Sequence, residues 1–142
     1  MKSVKPACLV VLGLIAFTVP ASSEVLIAQA NQRMLLSKQI KTQAYEFAGD
    51  PGNYARVQKI TDLAWDLIAA SDQKASCAIA AKDLTVHIFH LNFTYTSTVQ
   101  TMSGMDTKSP FITEFGEMME QQLSGYKKEI AFDLEKLAQY CN

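Results

Sequence analysis

Very little in this sequence interrupts a helix: of 142 residues only four are proline and six are glycine. That scarcity excludes collagen-like and low-complexity chains, and a 49% hydrophobic content excludes a disordered one. A surplus of either charge is also missing, with a formal net charge of -1. A chain with no basic excess has little with which to neutralise a run of phosphates, which argues against nucleic-acid binding. Three cysteines occur without CxxC spacing, and CxxCH is absent, which argues against a covalently attached c-type haem. No apolar run approaches the ~20 residues needed to span a bilayer. No nucleophile–base pair or strong metal motif is evident, so a non-enzymatic role is expected. What remains is apolar material for one domain with a core of its own.

The first 23 residues read as a secretory signal peptide, leaving a domain over residues 24–142. Lys2 and Lys5 precede the apolar run Ala7 to Val19, which ends at Pro20-Ala21-Ser22-Ser23, with cleavage expected after Ala21 or Ser23. As a helix that run reaches about 20 Å, short of the roughly 30 Å hydrocarbon core. Cys8 precedes the run rather than closing it, so no lipid anchor is indicated. Without Lys2 and Lys5, 11 basic residues face 14 acidic ones. The expected location is periplasmic or secreted, an oxidising compartment in which Cys77 and Cys141 pair. Closing a loop of about 64 residues would constrain the unfolded chain by about 4 kcal/mol on the entropy model.

Breakers divide the remainder into four helical segments. The first runs from Glu24 to Ala48 and stops at Gly49-Asp50-Pro51-Gly52, where Asp50 and Pro51 suit a cap followed by a first helical position. The second carries Tyr54, Val57, Ile60, Ala64 and Leu67 at helical spacing and ends near Ser71. The third, Ala75 to Ser103, is rich in β-branched and aromatic residues over Thr85–Val99, which favours strand by propensity. Its Leu84, Ile88, Leu91, Tyr95, Thr98 and Met102 nevertheless alternate spacings of four and three, a helical seam. The fourth opens with Ser109-Pro110 and has the spine Phe111, Phe115, Met119, Leu123, Tyr126, Ile130, Leu134, Leu137 and Cys141. Short connections between long helices make neighbours antiparallel, so the expected fold is all-α: an up-down-up-down antiparallel four-helix bundle with one disulfide. In that topology Cys77 and Cys141 lie at one end, each on its helix seam.

Helix one carries a polar row, Gln29, Arg33 and Ser37, inside an arc formed by Val25, Leu26, Ile27, Ala30, Met34, Leu36, Ile40, Ala44 and Phe47. An arginine on such an arc needs a partner. Either it snorkels to solvent or pairs within the chain, through Asp62, Asp66 or Asp83, or its fork of donors receives a small anion or carboxylate, helped by Gln29 and Ser37.

The stretch Gln32-Arg33-Met34-Leu35-Leu36-Ser37-Lys38-Gln39-Ile40, followed by Lys41 and Tyr45, resembles the signature of PilJ-type and NarX-type sensory domains, which reads roughly AGRQRMLSQRI. Ala30-Asn31 stands where that signature has alanine-glycine, and one extra residue separates Arg33-Met34 from Ser37. The resemblance covers about 15 residues and implies an exported four-helix bundle whose Arg33 contacts an anion at a two-fold dimer interface. It further implies a sensory input domain that recognises a small anionic ligand or a signalling protein, as a homodimer. This chain would be a free-standing version, lacking the family's membrane anchors and signalling modules.

Other constellations point elsewhere. His87 and His90, with Asp83, would place metal ligands along helix three, as in a periplasmic metal or haem carrier, although the Glu-x-x-His pattern of di-iron bundles is missing. Met102, Met105, Met118 and Met119 gather near the last connection, where thioethers would suit Cu(I) or simply fill gaps. No cofactor follows from either set. Val86, Phe89 and Phe93 form a second stripe on helix three, a partner surface for a structural or adaptor protein, or else part of a broad buried face. Asn92-Phe93-Thr94 fits a glycosylation sequon, and Glu117 and Glu120 share a face of helix four.

Overall fold

The computed structural model describes residues 22–72 and 74–142; the signal-peptide expectation falls almost wholly outside them. Four helices follow one another: α1 (Ser23–Gly49), α2 (Tyr54–Ala69), α3 (Ala75–Ser103) and α4 (Pro110–Tyr140). They pack on one another as an all-α bundle, and no strand occurs among the described residues. The β-branched stretch of α3 is helical throughout. Its seam wins over strand propensity because Leu84, Ile88 and Leu91 bury completely against the other helices. No helix among the described residues is long and apolar enough to cross a membrane.

The boundaries follow local chemistry at most ends. Ser22 caps α1 by accepting the Val25 N–H, and Pro110 occupies the first turn of α4. The start of α2 departs from expectation. Its N-cap is Asn53, whose side chain accepts the Arg56 N–H at 3.2 Å, rather than Asp50 ahead of Pro51. Pro51 is instead buried in the turn, and its carbonyl accepts from Asn92 Nδ2 at 2.7 Å. That bond seats the α1–α2 turn on α3 and delays the helix until Tyr54. It also occupies the amide of the sequon, so buried Asn92 is not an accessible glycan acceptor.

Cys77 and Cys141 form the expected disulfide, both fully buried, with Cα atoms 4.9 Å apart. The core runs from this end: Ile40, Ala44 and Phe47 of α1, Ile60, Ala64 and Leu67 of α2, Ala81, Leu84, Ile88 and Leu91 of α3, and Leu137 of α4 have no exposed surface.

Helix lengths are unequal, and this shapes both ends. The short α2 stops at the level of Arg33, the first residue of α1 to be buried, so Val25, Leu26 and Ile27 of the predicted arc lie exposed before it. Met34, on the same predicted arc, is also exposed, at 41%. At the other end the α1–α2 turn meets α3 near Asn92 and Tyr95. Beyond it α3 and α4 continue as a two-helix hairpin. No residue of α4 before Ile130 is buried, and beyond Asn92 only Thr98 of α3 is. Phe111, first on the predicted spine of α4, is exposed.

Candidate functional site

Arg33 is 7% exposed, although it carries a permanent charge. None of Asp62, Asp66 or Asp83 forms an ion pair with it among the described residues; its one hydrogen bond runs from Nη1 to the carbonyl of Ala70 at 3.2 Å. Ala70 is the C-cap of α2, a helix with no basic residue in its last turn. Helix C-termini leave carbonyls without internal partners and carry partial negative charge, so α1 supplies the cation that α2 lacks. This contact satisfies only one of five guanidinium donors. Among the described residues Nε is buried without a partner, an arrangement that costs free energy unless something else compensates it.

A cleft of about 420 Å³ opens between the same two helices. Gln29, Gln32 and Leu36 of α1 form one wall, and Asp66, Ala69 and Ala70 of α2 the other. Gln29 therefore shares the cleft with the residue that Arg33 binds. Ser37 is half-buried on α1 and is not among the residues lining it. Of the predicted trio only Gln29 lines the cleft; Arg33 meets it through Ala70 alone, while Gln32 and Asp66 join in.

The histidines have other engagements. His87 Nδ1 lies 2.6 Å from Asp133 Oδ2, and Asp133 is completely buried. Lys136 Nζ approaches Asp133 Oδ1 at 3.5 Å and Asp83 Oδ2 at 3.8 Å, closing a charged network between α3 and α4. A buried carboxylate demands such partners, and here it has two. His90 is exposed and its ring meets Tyr126, with centroids 5.6 Å apart. Among the described residues no three His, Cys, Asp or Glu side chains converge as metal ligands. Asp83, His87 and His90 accordingly do not form a ligand set; Asp83 reaches the network through Lys136.

Sequence reasoning missed Asp133, although the signal was present. Asp133 follows Ile130 by three residues and precedes Leu137 by four, which puts an acidic residue on the buried seam of α4 just as Arg33 stands on that of α1. Of the methionines, Met118 is exposed, while Met102, Met105 and Met119 are half-buried. Met102 packs toward Gly116, where an added Cβ would lie 3.6 Å from its methyl group. Glu117 and Glu120 are exposed and line a shallow groove on α4 with Gln121, Ser124 and Lys128. Val86, Phe89 and Phe93 are 50%, 51% and 63% exposed, which resolves their stripe as surface. No family model, curated protein or solved structure matches this chain.

Proposed function

We propose that this chain is an exported, non-enzymatic recognition bundle of the PilJ/NarX-like sensory kind, periplasmic or secreted, that takes a small carboxylate or other anion beside Arg33. The observation that carries this reading is a guanidinium nine-tenths buried, without a carboxylate partner among the described residues, and bonded once, to the carbonyl of Ala70, a residue on the wall of an open cleft that Arg33 itself does not line. Charge taken out of water without a counter-charge is costly, and a bound anion would supply one. Gln29 and Gln32 add hydrogen-bond groups on the α1 wall of that cleft. Asp66 on the facing wall accepts hydrogen bonds, so a carboxylate that itself carries N–H donors fits both walls better than a bare inorganic anion. The oxidising compartment is supported by the Cys77–Cys141 bond.

The test is thermal unfolding of protein purified after export, in nitrate, acetate and glycine, against chloride at equal ionic strength. A ligand present at 100 times its Kd adds about 2.7 kcal/mol, several degrees in Tm for a domain of this size. Arg33→Gln should lose that response and keep its helical content. A wild-type Tm indifferent to all three probes, or an Arg33→Gln variant that responds as the wild type does, overturns the proposal and leaves Arg33 as the C-terminal cap of α2.

A further inference from the structure

We infer that the projecting α3–α4 hairpin is a docking slot for a basic amphipathic helix of another protein. Two contacts fix which way the slot faces. Asn92 bonds the Pro51 carbonyl, so its side of α3 is the side that the α1–α2 turn covers. Val99 lies seven residues on, within about 20° of Asn92 around the helix, and is 51% exposed because α1 and α2 have already turned back. On α4, Asp133 faces α3 through His87. Leu134, about 100° further round, is 6% exposed and lies on the flank that packs on α1. Gly116 and Glu120 fall within about 40° of Leu134 on that flank, past the level where α1 ends. The slot is therefore the space that α1 and α2 would fill if they ran on. Met102 and half-buried Met119 form its floor, and Met102 packs toward Gly116, where the missing side chain lets an incoming helix come close. Tyr95, packed on Gly52, closes its base. From Tyr95 to Met105 the slot runs roughly 15 Å, about three turns of an incoming helix.

Charge selects the occupant. From Thr94 to Gly125 the acidic residues are Asp106, Glu114, Glu117 and Glu120, and the one basic residue is Lys108. All five are exposed. Glu120, with Glu117 a turn before it, forms the α4 rim of the slot. An apolar floor of pliable methionines inside an acidic surround suits a helix that lays down an apolar face and offers Lys or Arg to the rim. An anionic membrane surface would be repelled by the same rim. A second copy would bring an equally acidic hairpin to the slot, and like charges would oppose it. The slot lies at the opposite end of the bundle from Arg33, so failure of the anion reading leaves it untouched.

Fluorescence anisotropy with two labelled amphipathic peptides of about 20 residues, long enough to be helical, tests the assignment on protein purified after export. One peptide carries leucine on its apolar face and lysine on its polar face; the other has glutamate in place of lysine. The lysine peptide should bind, more weakly as salt rises, and the glutamate peptide should not. Glu120→Lys, at an exposed position, should raise the Kd of the lysine peptide about tenfold with helical content unchanged. Glu135→Lys makes the same charge change on the four-helix part of α4 and should leave that Kd within about twofold. Gly116→Leu fills the slot and should abolish binding, whereas Phe93→Ser, on the outer face of α3, should not alter it. No binding of the lysine peptide, equal binding of both peptides, equal effects of Glu120→Lys and Glu135→Lys, or loss with Phe93→Ser in place of Gly116→Leu overturns the assignment. So does a wild-type dimer, or binding to phosphatidylglycerol vesicles, that Gly116→Leu abolishes.

Discussion

The two ends of the bundle use the same kind of sequence to different effect. At the end closed by Cys77–Cys141, four helices meet, and Ala80, Ala81, Leu84, Leu137 and Cys141 are each at most 1% exposed. At the other end α3 and α4 project alone as a hairpin, and residues of similar apolar character, Phe111, Phe115, Met118 and Met119, are exposed or half-buried. The seams of α3 and α4 continue unbroken in sequence from one end to the other. The difference is set by how many neighbours a level of the bundle has. Because α1 and α2 turn back at Pro51, the apolar positions beyond Tyr95 lack the second pair of helices that would bury them. Apolar spacing therefore indicates which face a helix turns inward, while neighbouring helix lengths determine how far along it burial extends.

The largest expected effect breaks the well-packed end. Replacing Cys77 and Cys141 together with serine releases a loop of 64 residues. On the entropy model the cost is about 4 kcal/mol. Two hydroxyls are also left where buried sulfurs packed, beside Ser71, whose Oγ lies 3.0 Å from Cys77 Sγ. Thermal unfolding followed by circular dichroism should show a fall in Tm of roughly 15 °C. A drop of only a few degrees would mean that packing, not the cross-link, holds this end.

The helix positions and the disulfide were legible because each depends on local or short-range physics. Gly104 and Pro110 mark the α3–α4 connection, and two cysteines on two seams at one level have one sensible use in an oxidising compartment. The start of α2 was misread because Asp50 and Asn53 are both competent caps by type; the bond from Asn92 to the Pro51 carbonyl, 41 positions away, selects the later one. Exposure of Val25, Leu26 and Ile27 was legible in principle, since the breakers already make the second segment shorter than the first. Of the site, the buried state of Arg33 was readable from its arc. The identity of its partner was not, because a backbone carbonyl such as that of Ala70 carries no sequence signature. Asp133 illustrates the same gap: its seam position predicts burial, but only the fold brings His87 to it.

The second prediction concerns the charged network between the two ends. His87→Leu removes the closest partner of fully buried Asp133 and leaves Lys136 at 3.5 Å. Stranding a buried carboxylate costs 3–5 kcal/mol when its partner is fully buried as well. The His87 side chain is 26% exposed and Lys136 remains, so about 2 kcal/mol is expected from urea unfolding. His87→Leu combined with Asp133→Leu should recover much of the loss, because an apolar pair needs no counter-charge. If the double variant is less stable than His87→Leu alone, the network contributes net stability rather than merely satisfying its own desolvation.

The smallest effect belongs to the hairpin. Phe111→Ser substitutes a ring already 59% exposed, so its cost should stay near 0.5 kcal/mol, against the 3–5 kcal/mol typical of a buried phenylalanine such as Phe47. Amide hydrogen exchange sharpens the contrast without any substitution. Amides of Val99–Ser103 and Phe111–Glu120 should exchange through local opening well below the global unfolding free energy, because a two-helix level has few buried contacts to lose. Amides of Ala81–Leu91 and Asp133–Leu137 should exchange only with global unfolding. Equal protection of the hairpin and the disulfide end would show that the seams of α3 and α4 are sufficient without the second helix pair, and the contrast between the two ends would then be one of exposure alone.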